Sequence, residues 1–341
     1  ELLQSADFPW SGTVPPSGYL TIDFRILPTG RGPAVFGMVH IAHASPLGFW
    51  TRRYLAGSPS ATKVYPNYEP VIRFALLSMV NSQAQMGIRD LNRPGQSREF
   101  RQLRDYQDGD SLAAIDWKTT SRRLALTSRE YEEQRNQTII LMVDCGRRLR
   151  AMDGTLTQFD HSLNALLLLS HIALRQGDHV GVMSFGSDTP RWLPPLKGPH
   201  AMPAILNHLY DYQPSAAPGD FSEAAETLAA RWSRRALVVI ATNLRSEDET
   251  HFTAPLALIR KKHLVVVASL QEHQVAAQEH IPVTDLPTAL RFSSAQHYLD
   301  DRRQLLEKLH RLGILTVDTP AGHLPIALGN LYLRIKKQGT L

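Results

Sequence analysis

The sequence predicts a doubly wound, mostly parallel α/β domain preceded by a small antiparallel β-sandwich-like domain. Two observations carry the α/β part. Strand-like runs rich in Val, Ile and Leu, "TIILMVD", "HVGVMSFG", "ALVVIATN", "HLVVVASL" and "ILTVDT", recur from residue 138 onward with little polar alternation, as strands buried on both faces require. Amphipathic segments at 159–176, 200–211, 221–235, 248–262 and 296–312 lie between or beside them, and strand–helix–strand repetition with short connections gives a doubly wound sheet. A third observation carries the first part: short period-two segments separated by Pro and Gly.

Taken in order, residues 1–66 hold "GYLTIDFRIL", "AVFGMVHIAH", "GFWTRRYLA" and "ATKVYP", punctuated by "PTGRGP" and "ASPLG", and read as antiparallel strands of a small sandwich. Residues 67–136 form a connecting segment. It opens on "EPVIRFALLSMVNSQAQ", with apolar positions at helical spacing, continues through the polar linker "MGIRDLNRPGQS", and reaches "REFRQLRDYQDGDSLAAIDWKTTSRR" at 98–123. There Arg98, Arg101 and Arg104 recur every third residue and would line one face of a helix, with Asp105, Asp108, Asp110 and Asp116 as counter-charges and a turn at Asp108-Gly109-Asp110. Residues 137–341 are the α/β domain. In "GDFSEAAETL", Asp220 or Ser222 is placed to cap a helix whose first turn carries Glu223.

Composition narrows the function classes. The 341 residues are 43% hydrophobic and 20% charged, with a net charge of +5, the profile of a soluble globular chain with room for two domains. The basic spots "TRR", "SRR", "RKKH" and "RIKK" are scattered and lack interleaved stacking aromatics, so nucleic acid is not an expected partner. A single cysteine excludes an intrachain disulfide framework and a multi-cysteine zinc site. The longest apolar stretch, "LNALLLLSHIAL", falls short of the roughly 20 residues that span a bilayer. There is no His-Glu-x-x-His pair, no phosphate-binding Gly-x-x-x-x-Gly-Lys loop and no Gly-x-Gly-x-x-Gly after a strand, so no cofactor is expected. His273 and His280 in "QEHQVAAQEH" read as a solvated polar connection. The chain opens on Glu1 without a signal pattern, as expected of a piece whose start has been removed.

The residue that most invites a functional reading is Asp144, which ends the run "TIILMVD" and is followed by Cys145, Gly146, Arg147 and Arg148. In a doubly wound sheet, ligands collect at the carboxyl ends of the strands, where this carboxylate sits. Cys145 invites a Cys-His nucleophile reading, which requires a base within hydrogen-bond reach and a low thiol pKa, but its position after a buried strand suits a small packed residue equally well.

The stretch at 98–123 resembles the signature of the uncharacterised bacterial family called domain of unknown function 58: Arg104, Tyr106, Gly109, Asp110, Ile115, Asp116, Trp117, Ser121 and Arg122 match it. "RGPAVFGMVHIAHASPLGFWTRR" and "KVYPN" before it, and "LVVIATNL", "GILTVDTP" and "LGNLYLRIKKQGTL" after it, extend the resemblance over nearly the whole chain. It implies a von Willebrand A-like α/β domain, with the signature residues structural. It also implies a membrane anchor ahead of the β-rich segment, a soluble part facing the cytoplasm at the inner membrane, and a MoxR-type AAA+ ATPase as protein partner. Metal-binding von Willebrand A domains end their first strand Asp-x-Ser-x-Ser and add a Thr and an Asp from later loops. Here Gly146 and Arg148 stand at the serine positions, Gly219 or Asp220 near the threonine position and Asn243 at the later aspartate. The positive charge of an arginine opposes a cation in that place. The expectation is therefore a degenerate metal site, without metal or catalysis, whose strand ends Asp144, Arg147, Arg148, Asp220, Ser222 and Asn243 dock a protein in an adaptor or assembly factor. The rivals are a metal-dependent enzyme using Asp144 and Asp220, and a cell-envelope structural protein.

Overall fold

The computed structural model describes residues 3–4, 9–68, 73, 99–107, 115–132, 136–187, 189–245, 247, 249–278 and 281–339. The chain divides into two compact units, one of Glu1–Pro66 with Leu206–Tyr212 and one of Asn67–Ile205 with Gln213–Leu341. Of the helix expected in "EPVIRFALLSMVNSQAQ" only Arg73, which is helical, is described; the linker after it, Arg98, Asp108, Gly109 and Asp110 lie outside the described residues.

Among the described residues of the first unit the antiparallel strands form, but as two-stranded sheets and not as a sandwich. Strands β1 (Gly32–Phe36), β2 (Val39–Ala44), β3 (Thr51–Ala56) and β4 (Ser60–Val64) pair as two nested couples, β1 with β4 and β2 with β3, which makes a two-stranded ribbon folded on itself at residues 45–50. Its pairing slips by one residue between Phe36↔Ser60 and Val39↔Ala56, a break that coincides with Gly37 and with Gly57 at φ +86°. A sandwich needs a second sheet to cover one face, and within "GYLTIDFRIL" only Leu27 is in a strand, in the two-residue element Leu27–Pro28 paired with Leu3–Gln4. The period-two pattern set the strands; it carried no information on how many would stack.

The second unit contains β5 (Glu99–Asp105), helix α1 (Trp117–Arg123) and β6 (Thr127–Glu132), with β5 and β6 antiparallel. Arg101 and Arg104 lie in the strand β5, not in the helix on which a one-faced arginine stripe would depend.

The sheet and its helices follow: β7 (Thr138–Asp144), α2 (Gln158–Arg175), β8 (His179–Phe185), β9 (Trp192–Leu196), α3 (Ala201–Leu209), α4 (Phe221–Arg231), β10 (Leu237–Thr242), α5 (Glu249–Arg260), β11 (Leu264–Leu270), α6 (His273–Gln278), α7 (Leu286–Arg311), β12 (Leu315–Thr319) and α8 (Leu324–Gln338). The strand order is β9-β8-β7-β10-β11-β12, parallel except for β9, which runs antiparallel to β8 at one edge. This is the von Willebrand A-like doubly wound sheet. All of β10 and all but the first residue of β7, β8 and β11 are buried, which is why their sequences are unbroken apolar runs. On one face Ile140, Met142, Ile240 and Val267 pack with Phe221, Leu228, Phe252, Leu256, Leu305 and Leu309 from α4, α5 and α7. Helices α2 and α8 pack against each other and against the sheet.

Two elements differ from the expectation for readable reasons. Strand β9 has the sequence "WLPPL"; two prolines argue against an interior strand, but at an edge the missing N–H groups face no partner. Helix α7 starts ten residues earlier than its apolar spacing suggests (286 against 296), because Asp285 and Thr288 form a reciprocal cap and a proline occupies the first turn. The polar connection "QEHQVAAQEH" contains α6, which stops at Gln278, and His280 lies outside the described residues.

The order reverses direction at β7, whose two neighbours are β8 and β10. Asp144, its last residue, thus sits at the topological switch point. Among the described residues no helix is long and apolar enough to cross a membrane.

Candidate functional site

The Asp144 carboxylate is fully buried. Its Oδ1 accepts the N–H of Gly146 at 2.8 Å, and its Oδ2 accepts the hydroxyl of Thr242, the last residue of β10, at 2.6 Å. A single turn of 3-10 helix, Arg147–Arg150, follows, and it sends the two arginines apart. Arg148 folds inward, is 9% exposed, places Nη1 4.0 Å from Asp144 Oδ2 and lays its guanidinium 5.5 Å from the centre of the Phe221 ring. Arg147 stays in solvent, with its backbone N–H on Ala217 O at 2.9 Å.

Three glycines from three loops close over this carboxylate. A Cβ at Gly219 would come within 2.7 Å of Asp144 Oδ1, one at Gly146 within 2.6 Å of Gly219 N, and one at Gly186, which has φ +70°, within 2.8 Å of Gly219 Cα. The loops are laced by Cys145 N to Phe185 O at 2.8 Å, Ser215 N to Cys145 O at 2.6 Å and Ser215 Oγ to Gly186 O at 2.7 Å. Only glycine allows backbone to approach this closely. Cys145 itself is 1% exposed.

The set does not fit the octahedral magnesium or manganese site of metal-binding von Willebrand A domains. Such an ion needs about six oxygens at roughly 2.0–2.2 Å. Here glycine backbone occupies the space beside Oδ1, and a guanidinium stands beside Oδ2. Asp220, the second carboxylate of the metal-enzyme alternative, is exposed and turned to its own helix: Oδ1 accepts Ser222 N at 2.8 Å and Glu223 N at 3.1 Å as the N-cap of α4. Asp220, and not Ser222, is therefore the cap. Ser222 is exposed beside it.

Asn243 belongs to a second buried cluster. Its Nδ2 donates to Gln158 Oε1 and Glu272 Oε1, each at 3.0 Å, and its Oδ1 accepts Arg302 Nη1 at 3.0 Å. Arg302, 4% exposed in the middle of α7, is the hub. It donates to Leu244 O at 2.7 Å, Ser269 Oγ at 2.7 Å, Leu270 O at 2.8 Å and Asp318 Oδ1 at 2.6 Å, so one guanidinium joins the ends of β10, β11 and β12. Burial works against its charge, but the Asp318 carboxylate outweighs that and holds its pKa above the usual value. Sequence reasoning passed over Arg302. The signal was present: Ala295, Arg302, Leu305 and Leu309 recur at helical spacing, so the arginine stands in the apolar stripe of α7 where a charge needs a buried partner.

The signature residues that are described build a compact β5–α1–β6 unit. Tyr106 N donates to Leu126 O and Asp116 N to Thr127 O, both at 2.9 Å, while Asp116 Oδ1 caps α1 through Thr119 N at 2.9 Å. Ile115 is buried and bridges to Ser128, and Arg104 stands opposite Ser128 in the ladder. Arg122 lies in the last turn of α1, the favourable end for a cation. Trp117 is the exception, 66% exposed on the first turn.

The model of the family described as "Protein of unknown function DUF58" matches residues 102–297. The chain belongs to that family. Along 247 residues it is 27% identical to the uncharacterized protein YeaD of Bacillus subtilis (strain 168), covering 72% of this chain and 57% of that protein, so it spans little more than half of that relative. Solved structures similar to this DUF58 chain include the following two. The VWA domain of SpRpn10 aligns with 58% of this chain and 95% of its own at 12% identity and a TM-score of 0.35. An aerotolerance-related membrane protein from Bacteroides fragilis NCTC 9343 aligns with 59% and 100% at 12% identity and a TM-score of 0.39. The fold assignment rests on the strand order and the antiparallel edge described above. A DUF58 chain with this fold is consistent with a protein-interaction role.

Proposed function

We propose that this chain is the partner-docking part of a non-catalytic, membrane-associated adaptor or assembly factor that works with a MoxR-type AAA+ ATPase. One observation carries the reading. At the carboxyl ends of the strands, the groups that chemistry would need are spent on the fold: Asp144 on Gly146 and Thr242, Asn243 on Arg302, and Asp220 on α4. What remains in solvent there, Arg147, Asp220 and Ser222, offers charge and hydrogen bonding for recognition and no activated nucleophile. In this reading the soluble part faces the cytoplasm at the inner membrane, where an ATPase partner would reach it, and the anchor lies in a segment outside this chain.

The test is association of the full chain with a MoxR-type ATPase encoded beside it, without nucleotide, with ADP and with ATP. Arg147→Glu reverses an exposed charge and should abolish capture while leaving the fold intact. Arg148→Ser removes a buried group and reports on folding instead. No association in any nucleotide state would count against the proposal, and tight Asp144-dependent binding of Mg2+ or Mn2+ in a calorimetric titration would replace it with the metal-enzyme reading.

A further inference from the structure

The end of the β2–β3 ribbon has features that the docking reading leaves unused. Leu47, Phe49 and Trp50 are 78%, 79% and 65% exposed at its fold-back. They do not hang from a loose loop. Gly48 N donates to Ser45 O at 2.9 Å, Ser45 N to Trp50 O at 2.8 Å and Trp50 N to Ser45 Oγ at 3.4 Å, with Gly48 at φ +73° and Ser45 buried beneath. The turn is held in shape, and its apolar side chains stand in solvent.

Charge says what could cover them. Between Phe24 and Tyr68 the chain has no Asp or Glu, but carries Arg25, Arg31, Arg52, Arg53 and Lys63. Arg52 and Arg53 are exposed in β3, following Trp50 and Thr51; Arg52 pairs with His43 across the ribbon and Arg53 with Ala42. At about 3.3 Å per residue, the backbone of these two arginines lies roughly 7–10 Å along the chain from Trp50. An apolar end with Trp at its margin and cations one headgroup layer behind is the arrangement that an anionic bilayer surface selects, where apolar groups enter about 5–10 Å and cations meet lipid phosphates. A single-stranded nucleic acid would call for a groove with stacking faces, and the aliphatic Leu47 on a convex turn offers neither.

We infer that this hairpin end is a membrane-surface contact, inserting Leu47, Phe49 and Trp50 into the interfacial layer of an anionic bilayer with Arg52 and Arg53 on the headgroups. The inference is independent of the docking proposal: it concerns other residues and a different partner, and either stands if the other fails.

The experiment is co-sedimentation of the full chain with vesicles of phosphatidylcholine alone or mixed with phosphatidylglycerol. The expected result is binding to the anionic vesicles that weakens with salt. Arg52→Gln with Arg53→Gln should weaken it about thirty-fold, at roughly a factor of five per cation removed. Leu47→Ser with Phe49→Ser should abolish it while circular dichroism stays unchanged. Trp50→Phe keeps an apolar ring and so should still bind, while losing most of the tryptophan quenching by brominated lipid seen with the unmodified chain. Absence of binding to anionic vesicles, or binding that survives the serine and glutamine variants alike, would overturn the inference. So would a tip that binds an oligonucleotide, or pairs with a second copy of the chain, and leaves vesicles alone.

Discussion

Two buried charges sit at the carboxyl ends of one sheet and are held in opposite ways. Asp144 is neutralised at arm's length: its close partners are an N–H and a hydroxyl, and the nearest cation, Arg148, stands 4.0 Å away. Arg302 has its counter-charge in contact, Asp318 at 2.6 Å, and spreads its remaining donors over backbone and side-chain acceptors of three strand ends. A buried charge is tolerated only when its hydrogen-bonding capacity is filled, and the two clusters fill it with different means. The arginine cluster is scaffolding that fastens α7 across the sheet. The aspartate cluster is closed over by glycine backbone from three loops.

The contrast can be broken most directly at Arg302. Arg302→Met should destabilise the α/β domain by about 3–5 kcal/mol, the usual cost of leaving a buried partner charge uncompensated, measured by urea denaturation. A loss below about 1 kcal/mol would show that Arg302 is no hub. Asp144→Asn keeps the shape and most of the hydrogen bonding, and should cost about 1–3 kcal/mol. A double-mutant cycle sharpens the difference: coupling between Arg302 and Asp318 should clearly exceed that between Arg148 and Asp144, because contact at 2.6 Å outweighs separation at 4.0 Å. Asp220→Ala removes only a helix cap and should cost about 1 kcal/mol, with no effect on any metal titration.

The smallest effects are a pH slope and an absence. Burial first, and Lys262 next to it, push the His263 imidazole below its ordinary 6.5; burial and Arg175 do the same to His171. With the folded pKa lowered, the unfolded chain takes up the proton first as the pH falls. The stability these residues contribute is therefore intact above pH 6.5 and lost as the pH falls from there through the folded pKa. His263→Gln should flatten the acid limb of a stability–pH profile below 6.5, and an unchanged slope would remove His263 from the account. Arg147→Glu should leave stability within about 0.5 kcal/mol, as expected of an exposed residue.

Much of the α/β domain was legible because its signals are local. A strand buried on both faces must be a continuous apolar run, so β7, β8, β10 and β11 could be read directly, and Asp144 fell at a strand end by counting. The prolines of β9 hid an edge strand, since the sequence does not say that no neighbour needs those N–H groups. The ribbon was legible as antiparallel strands but its nested pairing was not, because period-two alternation looks alike in a sandwich and in a hairpin. The metal-site departures at Gly146, Arg148 and Asn243 were visible as substitutions. Their consequence was not.

That consequence belongs to distances along the chain that no local pattern spans. Apolar periodicity and the cap at Asp220 act within a few residues, so the chain could declare its strands, helices and switch-point carboxylate unaided. The fate of Asp144 depended on Thr242, 98 residues away, and on the backbone at Gly186 and Gly219 folding onto it. The fastening of the strand ends depended on Arg302 reaching Asn243 across 59 residues of sequence. Hydrogen-bond geometry and close backbone approach exist only once the sheet has brought those loops together, and there an expected ligand position became a closed, polar seam.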